Sequence, residues 1–296
     1  MAGNLKEVRE RIKSVISTQQ ITKAMKMVSA AKFRKAQTAI VDMRPYADRL
    51  NTMLGNILAN AGSDLETDFG KVRDVKKVCM VVVTSSKGLC GAFNTNIIKA
   101  AVARIHDKYE DVLRSGNLTV LCIGKKGNDY FRKHMKGATV LSDQVDLFTR
   151  LRFEEVEKVA NQLMEGFSNQ SYDVVEVAYG RFKNAATQVP EVDMFLPVIP
   201  QVGPVKKARA DYIFEPDTQG LLNTLIPSIL RTSFFKYTLD THASEHGARM
   251  TAMDKATENA EEMLKDLRIS YNKARQEAIT RELSEIVGGA AALESA

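Results

Sequence analysis

His242-Ala243-Ser244-Glu245-His246 has the plainest chemical vocabulary in the chain: two histidines four apart, which share a helix face, with a glutamate beside them, in the inverted zinc-peptidase order H-x-x-E-H. Such a site also needs a third ligand delivered by a separate element. The downstream glutamates Glu258, Glu261 and Glu262 lie on the same run of helix formers, and a continuous helix cannot fold back to supply one. The pair reads as two exposed or interface histidines, and no metal is expected.

Ser86-Lys87-Gly88-Leu89-Cys90-Gly91 follows a strand-like run and has the glycine content of a nucleophile elbow or a phosphate cradle. It matches neither G-x-S-x-G nor G-x-x-x-x-G-K-[ST], and Gly124-Lys125-Lys126-Gly127 is not a dinucleotide fingerprint. Cys90, a lone thiol in a glycine turn, reads as a small packing residue. No catalytic residue and no cofactor follow from these strings.

Charge offers a third chemistry. Arg11, Lys13, Lys23, Lys26, Lys32, Arg34 and Lys35 fall in a stretch, residues 11–41, that holds no acidic residue, within a chain of net charge +6. Nucleic acid, an anionic membrane face and an acidic protein surface would all suit that charge. Phe33 is the lone aromatic there, too few for base stacking, and the apolar residues of the stretch are committed to helix pairing. No nucleic-acid partner is expected.

The elements that must carry these residues are two helical arms around a sheet. Residues 217–287 are largely good helix formers, interrupted by Pro227 and Gly247. Their apolar stripe runs Met253, Ala256, Ala260, Met263, Leu267, Tyr271, Ala274, Ala278, and the four alanines among those eight let a second helix come close. Roughly seventy residues at ~1.5 Å each reach about 105 Å, whereas a compact body made of the rest would be about 40 Å across. Most of the helix is therefore expected to protrude. Gly288-Gly289 should stop it, leaving Ala290 to Leu293 as a small apolar tip in need of a socket.

The first segment is the expected partner. Asn4 and Glu7 resemble a capping box; Leu5, Val8, Ile12 and Val15 step by three and four; after Gln19-Gln20 the stripe resumes shifted in phase at Ile21, Met25 and Val28. Pro45 should kink or end that helix. Between the arms, residues 78–83, 118–123, 138–141, 172–182 and 187–198 read as strands and residues 94–113, 126–134 and 153–167 as helices, a small α/β sheet with parallel strands and a hairpin edge. Cys79, Cys90 and Cys122 have no metal-like spacing and are expected as reduced, partly buried thiols. No window is apolar for the length of a membrane span.

Several long strings resemble one family. They are Ile21-Thr22-Lys23-Ala24-Met25-Lys26-Met27-Val28-Ser29-Ala30-Ala31-Lys32, Gly88-Leu89-Cys90-Gly91-Ala92-Phe93-Asn94, Ala248-Arg249-Met250-Thr251-Ala252-Met253, and Tyr271-Asn272-Lys273-Ala274-Arg275-Gln276 with residues 279–287. In collinear order over the whole chain, they are similar to the gamma subunits of F-type rotary ATP synthases. Departures are Lys87, Ser86 and His246, and the absence of the paired-cysteine insertion of chloroplast members, which argues against thiol control.

The resemblance implies a long antiparallel two-helix coiled coil from residues 1–62 and 208–296 with a Rossmann-like α/β domain, residues 63–207, inserted between them. It implies a central rotor shaft that couples proton flow to ATP synthesis or hydrolysis and has no catalytic site of its own. Its partners would be the alpha and beta subunits of the catalytic ring, the epsilon subunit and the membrane c-ring, with one copy per complex. Met25, Lys26, Arg249, Arg275 and Gln276 would touch beta subunits, and Thr280, Glu285, Ile286 and Leu293 would sit in the bearing. The lack of a transit-like start favours a bacterial protein at the cytoplasmic face of the inner membrane. A nucleic-acid-binding coiled coil and a zinc peptidase are the rival readings.

Overall fold

Val78, Cys79, Met80, Val81, Val82 and Val83 are completely buried, as a strand covered on both faces must be, and they form β1 (Val78–Val83), the middle of the sheet. The computed structural model describes residues 2–61, 68–185, 187–198 and 218–294. It divides into one unit of Met1–Ser29 with Met250–Ala296 and another of Ala30–Arg249. Two helices, α1 (Ala2–Ala61) and α6 (Thr218–Glu294), contribute to both.

In the larger unit, β1 is followed by α2 (Phe93–Lys108), α3 (Glu110–Arg114), β2 (Leu118–Ile123), α4 (Lys125–His134), β3 (Ala138–Leu141), α5 (Phe153–Ser168), β4 (Val174–Phe182) and β5 (Gln188–Leu196). The strand order is β3-β2-β1-β4-β5; the first four are parallel, and β5 closes the edge antiparallel to β4. Alternation in β1 divides the core. Cys79, Val81 and Val83 face α5 and the start of α6 through Val156, Leu163, Phe167, Ile226 and Phe234. Val78, Met80 and Val82 face α2, α3 and α4 through Ile97, Ile105, Leu113 and Phe131. Cys79, Cys90 and Cys122 are buried free thiols, and burial pushes those of Cys79 and Cys122 up to about 12.

The expected helix over residues 94–113 is broken at Tyr109, whose φ of −129° separates α2 from α3. The break puts the buried Tyr109 ring beside Glu176 of β4, where burial first and then that carboxylate raise its hydroxyl pKa. Arg104 Nε lies 2.9 Å from the fully buried Glu176 carboxylate, a charge contact without hydrogen-bond geometry, and Arg104 Nη2 donates to the Val192 carbonyl at 3.2 Å.

Three helix-end expectations need correction. Pro45 does not end α1; only the bond to the Val41 carbonyl is lost, at an exposed position open to water. Asn4 lies inside α1 instead of capping it. Gly288 and Gly289 lie inside α6, which continues to Glu294, because the alanines that follow are strong helix formers and glycine weakens a helix by only about 1 kcal/mol.

The smaller unit is an antiparallel helix pair. Arg9 Nη2 donates to the Tyr271 hydroxyl at 2.8 Å, the Thr22 and Thr257 hydroxyls are 2.8 Å apart, and Lys26 pairs with Asp254, so α6 numbers fall as α1 numbers rise. Leu5, Val8, Ile12, Val15, Gln19, Thr22, Lys26 and Ser29 of α1 are covered in whole or in part and follow strictly alternating steps of three and four, with Ile16 and Met25 half-buried beside them. Such a repeat of 3.5 is that of a left-handed coiled coil. The expected phase shift is therefore overturned: the seam keeps its phase and becomes polar, while Ile21 and Val28, each 57 % exposed, face outward. On α6 the seam passes through Met253, Thr257, Ala260, Leu264, Leu267, Tyr271 and Ala274. Leu264 therefore replaces the expected Met263, which is 49 % exposed.

Candidate functional site

The sheet's winding reverses beside β1. From β1 the chain moves through α2 and α3 to β2 and β3, then returns through α5 to β4 on the other side. In open α/β sheets the crevice at the carboxyl ends of the two strands flanking such a reversal is where ligands bind. Here one wall is the turn after β1, residues 84–92, and the other is the end of β4 at Gly180. The occupant is α6 itself, residues 241–249.

Its contacts are polar and specific. The Gly180 N–H donates to Thr241 Oγ1 at 3.2 Å and the Ser244 hydroxyl donates to the Gly180 carbonyl at 3.1 Å, so two side chains of α6 satisfy backbone groups beyond the end of β1. A Cβ on Gly180 would meet the Phe93 ring at 2.7 Å, and one on Gly247 would come within 3.1 Å of the Ala185 carbonyl. Gly180 thus makes room for α2, and Gly247 lets α6 pass close to Ala185 and Phe33. Ala243, close by on α6, packs with Ala36 and Ile40 of α1 and Leu239.

Arg249 closes the other wall. Its Nε donates to the Gly88 carbonyl at 3.2 Å, and its Nη2 to the carbonyls of Lys87 at 3.1 Å and Gly88 at 3.2 Å. Nη2 also lies 2.7 Å from Glu245 Oε1 in a buried ion pair, and Nη1 donates to His246 Nδ1 at 3.2 Å. Burial pushes the Glu245 carboxyl up while Arg249 pulls it back. The H-x-x-E-H string is thus organised around an arginine: Glu245 and His246 both serve the guanidinium, and His242 stacks on Phe148 at 5.9 Å. Burial, ahead of neighbouring cations, lowers His242 to about 4 and His246 to about 3.

The glycine-rich strings meet each other here. Of the first three N–H groups of α4, Lys125 donates to Ser86 Oγ at 3.4 Å, Lys126 to the Ser85 carbonyl at 3.1 Å and Gly127 to Thr84 Oγ1 at 2.9 Å. These are the donors a phosphate would use at a helix start. Gly124 allows the closeness, since a Cβ there would lie 2.0 Å from the Thr84 carbonyl oxygen. Inside the other turn, Asn94 Oδ1 accepts from the Ser85 N–H at 2.9 Å and Asn94 Nδ2 donates to Cys90 Sγ at 3.2 Å. Cys90 is packed as its surroundings predicted.

The residues expected to touch partners are placed differently from one another. Arg275, Gln276, Thr280, Glu285 and Ile286 are exposed on α6, and Glu285 pairs with Arg281 at 3.0 Å. Met25 is half-buried and Lys26 engages Asp254. Arg249 is turned inward as described, a role the sequence string could not reveal because its acceptors lie some 160 positions away in the chain, at |i−j| of 161 and 162. The Leu293 side chain lies outside what the structure describes. Among the described residues, no group of three or more metal-ligating side chains is gathered and no helix is long and apolar enough to cross a membrane.

A family model described as ATP synthase matches residues 4–293. The chain is 49 % identical over 295 residues to the ATP synthase gamma chain of Cytophaga hutchinsonii and 50 % identical over 292 residues to that of Flavobacterium psychrophilum, each match covering 99 % of both chains. Among solved structures, a chain of the Euglena gracilis mitochondrial ATP synthase aligns with a TM-score of 0.67 at 22 % identity, covering 100 % of this chain and 96 % of that one. A chain of the Tetrahymena thermophila central stalk and c-ring aligns at 0.57 and 22 % identity, covering 80 % of this chain and 99 % of that one. With half its residues shared along the full length of those relatives, and with the family model spanning residues 4–293, the chain belongs to the ATP synthase gamma chain family.

Proposed function

We propose that this chain is the central rotor shaft of a bacterial F-type ATP synthase, working in one copy inside a ring of three alpha and three beta subunits. It joins that ring to the epsilon subunit and the c-ring as a peripheral protein on the cytoplasmic face of the inner membrane. Proton flow turns it; the ring makes or hydrolyses ATP; the shaft itself carries no catalytic residue, metal or cofactor. Residues 1–62 and 208–296 form the shaft, and residues 63–207 the domain toward the membrane rotor.

The observation that carries this reading is the helix pair with a covered seam and an outward apolar face. Ile21, Met27, Val28, Ile269, Ile279, Leu283 and Ile286 are all exposed. Ile21, Met27, Val28 and Ile269 lie outside a pair that already has its own seam, while Ile279, Leu283 and Ile286 lie where α6 runs past the start of α1; large exposed apolar residues in both places suit an enclosing protein partner. An asymmetric shaft biases otherwise equal sites by touching each one differently, which is population shift through differential contact. Met25, Lys26, Arg275 and Gln276 are proposed to face the beta subunits, with Thr280, Glu285, Ile286 and Leu293 in the bearing. Arg249, also expected there, is proposed to act through the turn that it holds.

Adding this chain to membranes that carry its alpha, beta, epsilon and c subunits but lack gamma should restore ATP-driven proton pumping. Failure to bind that ring, or binding without pumping, would defeat the rotor reading.

A further inference from the structure

The turn between β1 and α2 has an unusual shape. Leu89 is 63 % exposed and has a φ of 62°, a left-handed conformation unfavourable for a residue other than glycine. The carbonyls of the two residues before it, Lys87 and Gly88, both accept from Arg249. From the inner side, Ser85 Oγ donates to the same Lys87 carbonyl at 2.6 Å. The turn is thus gripped between its own strand and α6, with an exposed leucine and lysine at its outer edge.

We propose that Arg249 is a positioning residue: braced by Glu245, it latches the β1–α2 turn to α6, so that the setting of the helix and the setting of the turn change together. This rests on the rotor reading for its purpose, since a shaft that passes torque between a domain and a helix needs them joined in rotation as well as in contact. Thr241 and Ser244 hold the helix to Gly180 on one side of the crevice. Arg249 holds the opposite side. Two attachments about one helix resist twisting where a single one would act as a pivot.

The guanidinium suits this task because its fixed fork of donors reaches two carbonyls and a carboxylate together, whereas a lysine ammonium is a point charge on a flexible stem. Amide hydrogen exchange of Ser85 and Phe93, whose N–H groups donate to Asn94 Oδ1 at 2.9 Å and to the Cys90 carbonyl at 3.3 Å at the two ends of the turn, reads the latch when followed in the subunit assembled with alpha and beta. Arg249→Gln and Arg249→Lys should each accelerate that exchange about tenfold, the effect of losing charged hydrogen bonds, and should lower the protons pumped per ATP hydrolysed in membranes with the full complex. Arg249→Lys keeps a cation beside Glu245 and guards against the possibility that the glutamine variant does not fold. Wild-type exchange in either variant, restoration of both readouts by lysine, or faster exchange with an unchanged pumping ratio would each overturn the latch. If the unaltered subunit supports no pumping at all, the rotor reading fails, and the exchange comparison still decides whether Arg249 holds the turn.

Discussion

Protonation is what the residues around Arg249 resist. His246 Nδ1 accepts from the guanidinium and so must carry no proton, and His242 faces Lys32, Lys35 and Arg249 from a half-buried position against Phe148. Both folded pKa values, about 4 and about 3, lie below the ordinary 6.5. The unfolded chain therefore takes up protons near pH 6.5 that the folded chain refuses, so this stability is whole above 6.5 and drains as pH falls toward 4 and 3. Asp240, raised to about 6 mainly by burial, works the other way, gaining protons on folding between about 6 and 3.8. Glu245, also raised by burial, acts in the same sense as Asp240, so two carboxyls offset part of what the two histidines lose in acid. His242→Phe, which preserves the ring stack, should remove a contribution of at most about 3 kcal/mol at ~1.36 kcal/mol per pKa unit. Urea unfolding at pH 7 and pH 4.5 would then differ less than in the parent protein; an unaltered difference would show that His242 is not titrating.

The helix seam gives the sharpest test at the level of elements. Leu264, 5 % exposed, lies on it, and its neighbour Met263 does not. Leu264→Ala should destabilise the paired helices by about 2–3 kcal/mol, and Met263→Ala should fall within about 0.5 kcal/mol of no change. Equal losses in the two melting curves would return the seam to the stripe read from apolar residues alone. That stripe misled because Gln19, Thr22, Lys26 and Ser29 are polar and yet covered, while Ile21 and Val28 are apolar and yet outside. Hydrophobicity marks a seam only where the seam is apolar. A polar layer inside a coiled coil fixes register at some expense of stability, and Thr22 with Thr257 has that character, while Lys26 with Asp254 is a more exposed ion pair flanking it. The strands were far easier to read: five runs of β-branched and apolar residues, bounded by glycine, polar linkers and proline, predict the five observed strands to within two residues at either end.

For the whole molecule, the coupling role is proposed to depend on exposed α6 residues that meet other subunits. Arg275→Ala with Gln276→Ala should lower coupled ATP synthesis about tenfold, as expected for lost charged hydrogen bonds, while the melting temperature of the subunit stays unchanged. Full synthesis in that double variant would remove both residues from the coupling surface. The strings around these positions identified the family from sequence, yet the crevice occupied by α6 was invisible there. Thr241 reaches Gly180 across 61 positions and Arg249 reaches Gly88 across 161, and neither distance leaves any local periodicity to detect.

The start of α4, with its three leading N–H groups taken by Thr84, Ser85 and Ser86, has a bearing on what can settle there. With those donors engaged from within, a phosphate group could dock at the start of α4 only by displacing Thr84, Ser85 and Ser86 from them.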